Sequence, residues 1–285
     1  MDKEMNYKEF VLGVTLSALL FSLLPQRAIS DMDVSENRSR FYAGVQYRTG
    51  IPNFDNFSAS ETIPGLTKGV YGLDLDLSKS DITKRANFTR LYNPTYSTSS
   101  TGIGGMFGYY FDNIRMEFET SYSNFGIERQ WYTEGSQSHK FCAVSRQDNA
   151  APNTDLNNNR DFVVLENNGV KIRTLNVNFC YDVAHGNIPL APYVCAGIGG
   201  DYVKFIGVSL PKFSYQLKFG VNYPLSIRTM LFGGGYYHKV MGSKYDRVKV
   251  VYHPVQLSTV PKMTFVSANL DIDYFGCEVG IRFFL

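Results

Sequence analysis

The sequence predicts an all-β fold, an antiparallel up-and-down β-barrel that crosses a membrane on its strands. Three observations predict it. Apolar and polar residues alternate in eight segments, the period of a strand rather than a helix. The gaps between segments run long, short, long, short, short-to-medium, short, long, so tight turns gather at one end and long loops at the other. The chain also opens on an export signal and closes on a strand that ends at its last residue.

The export signal comes first. Lys3 and Lys8 precede an apolar run from Phe10 to Leu24, which Pro25 breaks. Ala28 and Ser30 put small residues where a signal peptidase reads, so cleavage is expected after Ser30. Asp2, Glu4 and Glu9 make the leading segment less basic than usual. The run is too short for a spanning helix, which needs roughly 20 apolar residues. Residues 1–30 therefore read as a signal peptide and 31–285 as one barrel domain.

Composition agrees with an exported β-protein. Aromatics make up 15% of the chain, with 20 Tyr and 21 Phe against 1 Trp, and Tyr suits surfaces half apolar and half wet. Mean hydropathy is −0.18, which excludes a helical membrane protein. A formal charge of +2 gives no support to nucleic-acid binding. Cys142, Cys180, Cys195 and Cys277 are too sparse for a disulfide scaffold and have no metal-ligand spacing. Cys180 and Cys195 flank one expected turn, and a bond between them stays open.

The strands follow in order. In 40–50, Phe41, Ala43, Val45 and Tyr47 share a face. Segment 102–111 turns at Asp112-Asn113 into 114–122, where Ile114, Met116 and Phe118 oppose Arg115, Glu117 and Glu119. Segment 174–183 sets Leu175, Val177 and Phe179 against Asn176, Asn178 and Asp182. The turn "AHGNIP" leads to 191–205, and a shorter gap leads to "KFSYQLKFGVNY" (212–223). There Phe213, Tyr215, Leu217 and Phe219 alternate with Ser214, Gln216 and Lys218. "YPLS" turns into 227–239, and the last strand is 268–285. "GVYGLDLDLS" (69–78) also alternates, so 10–12 strands remain open if it pairs within the barrel; otherwise it is a hairpin in an exposed loop.

Which face looks inward separates a membrane barrel from a soluble, lipocalin-like one. Lys and Glu dominate a solvated strand face, whereas here Gly, Asn and Ser outnumber them. A polar network filling a narrow lumen, with the apolar face toward lipid, fits better. The lumen-facing candidates are Arg115, Glu117, Glu119, Asn176, Asn178, Asp182, Gln216, Lys218, Asp271 and Asp273. Alternation slips near Tyr274-Phe275-Gly276, where a β-bulge is expected. Loops 50–100, 124–168 and 240–265 are expected outside the cell, with the short turns in the periplasm. The last of these loops is basic, through Lys239, Lys244, Arg247, Lys249 and Lys262.

The C-terminus "EVGIRFFL" places Glu278, Gly280, Phe283 and Leu285 in the order polar, Gly, aromatic, apolar. This is similar to the signal read by the barrel-assembly machinery, although Phe284 is penultimate rather than last. Several blocks resemble one family: "FYAGVQYRTGIPNFDNFSASET", "NGVKIRTLNVNFCYDV", "PYVCAGIGGDYVKF" and "KFSYQLKFGVNYPLS". That family is the major surface antigens, or immunodominant outer-membrane proteins, of Ehrlichia and Anaplasma. The resemblance spans the mature chain and implies a surface-exposed outer-membrane barrel with variable loops, some members being described as porins.

No HExxH, Walker or nucleophile-elbow motif occurs. "GIGG" and "FGGG" lie inside strands with no helix after them, so they are curvature glycines rather than phosphate loops. No cofactor is expected. The functional expectation is a bacterial surface antigen barrel with room for porin activity and loop-mediated contact with host molecules or antibodies. Its other partners are outer-membrane lipid and the assembly machinery. The alternatives are a soluble exported binding barrel, and a barrel enzyme using His238 with Asp271 and Asp273.

Overall fold

In the computed structural model eight strands close into one antiparallel barrel, and each pairs with two neighbours. The structure describes residues 40–74, 79–130, 132, 136–148, 160–183, 190–254 and 257–285. The signal segment 1–30 and the turn "AHGNIP" (184–189) lie outside the described residues.

Among the described residues sixteen strands run in chain order. The first six are β1 (Arg40–Pro52), β2 (Asp55–Glu61), β3 (Gly69–Leu73), β4 (Phe88–Leu91), β5 (Ser99–Phe111) and β6 (Ile114–Phe125). Next come β7 (Phe141–Ser145), β8 (Phe162–Glu166), β9 (Val170–Asp182), β10 (Ala191–Phe205) and β11 (Val208–Ser226). The last five are β12 (Thr229–Val240), β13 (Lys244–Tyr245), β14 (Val250–Tyr252), β15 (Val266–Asp271) and β16 (Asp273–Phe284). The barrel order is β1-β16-β12-β11-β10-β9-β6-β5, and β1 pairing with β5 closes it.

The barrel is inside-out relative to a soluble one. Along β6, Arg115, Glu117 and Glu119 are fully buried while Ile114, Met116 and Phe118 are exposed. The same inversion holds on β11, where Phe213 and Phe219 are 79% and 68% exposed and Gln216 is 0%. A continuous apolar outer wall of this kind is stable only against hydrocarbon.

The outer loops fold on themselves. β3 and β4 from the first loop, β7 and β8 from the second and β14 from the fourth form a five-stranded sheet, in the order β14-β8-β7-β3-β4. The segment "GVYGL" is thus part of this cap and not of the barrel wall, which stays at eight strands. A three-stranded sheet, β13-β15-β2, carries the β1–β16 wall outward past the rim. The third outer connection is a two-residue turn, Ile206-Gly207, with φ of 40° and 74°, tighter than the sequence led us to expect. Both values are positive, as a two-residue hairpin that follows the strand twist requires.

The strand breaks at Ile272, between β15 and β16, but the alternation does not slip there or at residues 274–276: Val266, Ala268, Leu270, Ile272 and Tyr274 are all buried. From there Tyr274, Gly276, Glu278, Gly280 and Arg282 keep one face. Asp273 therefore shares its face with Phe275, not with the lumen. Its registered partner is Lys239 on β12.

Candidate functional site

Alternation on the barrel strands delivers a ring of charged side chains to one small volume. Lys218 of β11 is its hub, with Nζ 2.7 Å from Glu119, 2.8 Å from Glu278 and 3.6 Å from Glu117. Arg48 of β1 pairs with Glu119, donates to Gln216 Oε1 at 2.9 Å, and lies 3.8 Å over the Tyr236 ring. Arg282 of β16 donates to Asn222 Oδ1 at 2.7 Å, sits 3.4 Å from Glu117, and covers Phe232. Nearer the periplasmic end, Arg115 holds Asp182 at 2.9 Å and donates to Tyr110 Oη at 2.7 Å. Tyr42 donates to Glu117 at 2.7 Å.

Four cations thus face Glu117, Glu119, Asp182 and Glu278, and most of these side chains are almost wholly buried. Breaking such a buried pair costs far more than breaking a surface one, because a desolvated charge is left alone. Beside the network, Asn178 donates to Glu119 at 3.0 Å and Gln216 to Asn178 at 3.1 Å. Asn176 is fully buried on the same face. An eight-stranded barrel has an interior narrow enough for side chains to fill, and the charged side chains here are buried within it.

Above the network the filling turns apolar. Phe125, Val203, Phe205, Tyr236 and Tyr274 form one buried cluster with Cys142, Val144, Leu165 and Val266 of the loops. The core of the cap thereby continues into the barrel mouth. Cys180 and Cys195, paired across β9 and β10 and buried on the lumen face, form a disulfide. That resolves the pairing the sequence left open.

The remaining sequence candidates are placed as follows. Asp271 and Asp273 do not line the lumen. Asp271 accepts from Asn56 Nδ2 at 2.7 Å beyond the rim, and Asp273 holds Lys239 at 3.1 Å on the outward face. Both stand on the face opposite the buried Leu270, Ile272 and Tyr274, which the strand keeps throughout. His238 lies apart from both, 2.8 Å from the buried Asp201 and stacked on Tyr274, so the imagined His–Asp grouping is not assembled. Among the described residues no cluster of three or more His, Cys, Asp or Glu could hold a metal. Lys244 pairs with Asp246 at 2.9 Å, and Arg247 lies over Phe265. A hydrogen bond from Ser267, together with Lys244, holds the Asp246 carboxyl below its usual range. Lys249 packs against Gly207, and Lys262 donates to the Ser258 carbonyl. Glu278 and Gly280 face inward, Phe283 outward, and Leu285 is exposed.

Sequence reasoning missed Arg48 and Arg282, although each lies on the polar face of a segment it had identified. It also missed the clamp that joins the outer loops. Arg146 forks onto Glu61 at 2.8–3.1 Å and reaches the Thr259 and Pro261 carbonyls at 2.9 and 3.0 Å. Loops one, two and four meet at that one guanidinium.

Three comparisons bear on this arrangement. The model of a family described as "Surface antigen" matches residues 34–285. Major surface antigen 4 of Anaplasma marginale is 28% identical, over 98% of this chain and 99% of its own. Among solved structures, the outer membrane protein OprG of Pseudomonas aeruginosa is 13% identical with a TM-score of 0.48, covering 87% of this chain and 97% of that one. Neisserial surface protein A is 12% identical with a TM-score of 0.41, covering 86% and 98%.

Proposed function

The chain belongs to the surface antigen family, and from that premise we propose that its barrel is a closed scaffold holding a folded recognition cap outside the bacterium. It is an outer-membrane β-barrel exposed at the cell surface. The proposal concerns what the barrel does there.

The single observation that carries it is the double seal of the lumen. A paired charge network fills the middle of the barrel, and the aromatic cluster of Phe125, Tyr236 and Tyr274 closes the outer mouth. Solute passage would have to break several desolvated ion pairs at once. The cap supports the same reading, because long loops on a rigid scaffold usually carry function, and these are built into a sheet. We assign the cap to contact with host molecules or antibodies, and the chain to a non-enzymatic role. Glu278, Gly280, Phe283 and Leu285 are assigned to recognition by the barrel-assembly machinery.

Swelling of proteoliposomes loaded with the full-length protein tests the closed state. Small sugars and amino acids should enter no faster than into protein-free liposomes. Uptake graded by solute size would restore the porin reading.

A further inference from the structure

Four cations point outward near the outer rim of the barrel, and they are not provided for alike. Lys239 has its carboxylate, Asp273, at 3.1 Å. Lys171 and Arg173 on β9 and Lys204 on β10 are exposed and have no acidic partner among the described residues. Lys171 and Lys204 stand directly opposite one another in the β9–β10 register. Such a pair sets Cβ atoms about 4.5–5.5 Å apart, and like charges so placed are destabilising. Their other registered neighbours, Asn124 and Ser209, are neutral. Arg173 is two residues along the same face, registered with Tyr122 and Tyr202.

Beside Arg173 the wall is hollow. An open groove of about 520 Å³ is lined by Ile103, Gly105, Thr120, Tyr122 and Arg173. Gly105 supplies its floor, since a Cβ there would meet only the Gly44 carbonyl oxygen at 3.8 Å. The height is that of a lipid headgroup. From Arg173 the outward face of β9 carries exposed Leu175, Phe179 and Tyr181 toward the periplasm. The eight steps from Arg173 to Tyr181, at about 3.3 Å each and tilted by about 40°, span roughly 20 Å of bilayer.

We propose that this part of the wall binds an anionic, phosphate-bearing lipid of the outer leaflet. Lys171, Arg173 and Lys204 take the headgroup, and one acyl chain lies in the groove over Gly105. Charge complementarity selects the occupant: three unpaired cations at the rim of an apolar groove need an anion with a hydrocarbon tail. The anion would also relieve the Lys171–Lys204 repulsion, a role that Asp273 fills for Lys239 on the other wall.

The test uses full-length protein in phosphatidylcholine nanodiscs with a minor share of phosphatidylglycerol. Lipid retained on each barrel is counted by native mass spectrometry after transfer to detergent. Phosphatidylglycerol should be enriched roughly tenfold over its share, the scale of one to two basic residues acting at a membrane surface. K171Q/R173Q/K204Q should bring retention to within about twofold of that share, whereas K239Q should not change it. Gly105→Leu fills the groove without touching a charge, and should also lower retention. Heat-modifiable mobility reports folding of each variant, and Arg173→Gln alone serves if the triple variant does not fold. Equal retention of both lipids by the wild type, or enrichment that survives the charge substitutions, would overturn the proposal. Displacement of the lipid by millimolar inorganic phosphate, with Gly105→Leu neutral, would reduce the site to a plain anion site and overturn it too.

Discussion

Lys218 shows how much one side chain carries in this barrel. It neutralises Glu119, Glu278 and Glu117 at 2.7, 2.8 and 3.6 Å, with no water-exposed surface to share the load. Lys218→Met should destabilise the barrel by about 3–5 kcal/mol, because three buried carboxylates lose their shared cation. Adding Glu119→Gln should recover part of that loss, and denaturant unfolding of reconstituted protein measures both. On the other face, Leu217→Arg should cost about 2–4 kcal/mol if the exposed apolar wall meets hydrocarbon; a neutral result would place that face in water. Both roles were legible in the sequence, since period-two alternation alone assigns Lys218 and Leu217 to opposite faces. The role of Asp273 was not. Asp271 and Asp273 stand on the outward face at and beyond the barrel rim, where Asn56 and Lys239 meet them, and composition alone does not mark where the apolar band of that face ends.

The cap behaves as a separate element. Its sheet mixes strands from three loops, so its integrity depends on contacts between loops rather than within one. Arg146, bound to Glu61 and to the Thr259 and Pro261 carbonyls, is the joint. Arg146→Ala should leave the barrel folded while costing the cap about 3 kcal/mol, read as faster proteolysis within 250–263. A pH dependence belongs here as well. Burial, with Lys140 and Arg129 nearby, holds the His139 imidazole below its usual range. The folded cap thus prefers neutral His139. Its contribution is fully present above the unfolded value of about 6.5 and is lost as pH falls toward the folded value. Protease resistance of the cap should decline between pH 7 and pH 5.5, and His139→Asn should flatten that decline. Of the cap strands, β3 was legible as part of the alternating segment 69–78, whereas β7 and β8 were not. "FCAVS" and "FVVLE" are buried on both faces, so they show no alternation and stand as short apolar runs in a stretch dominated by "NTDLNNNRD".

At the scale of the whole molecule, strand number and filling decide the function. The eight-stranded wall was legible because each strand repeats one pattern and three of the four outer connections are long, the fourth being the turn Ile206-Gly207. The proposed closure of the lumen was not, because polar lining alone suits a channel and a plugged barrel equally. What separates them is the pairing in three dimensions: Arg48, Lys218 and Arg282 reach carboxylates on strands far away in sequence, and the cap core descends into the mouth. Planar-bilayer recording from the full-length protein, inserted one molecule at a time, tests that closure most directly. The account predicts a current that stays at the baseline of the bare membrane across the voltage range. A steady ohmic conductance from the wild type would contradict it.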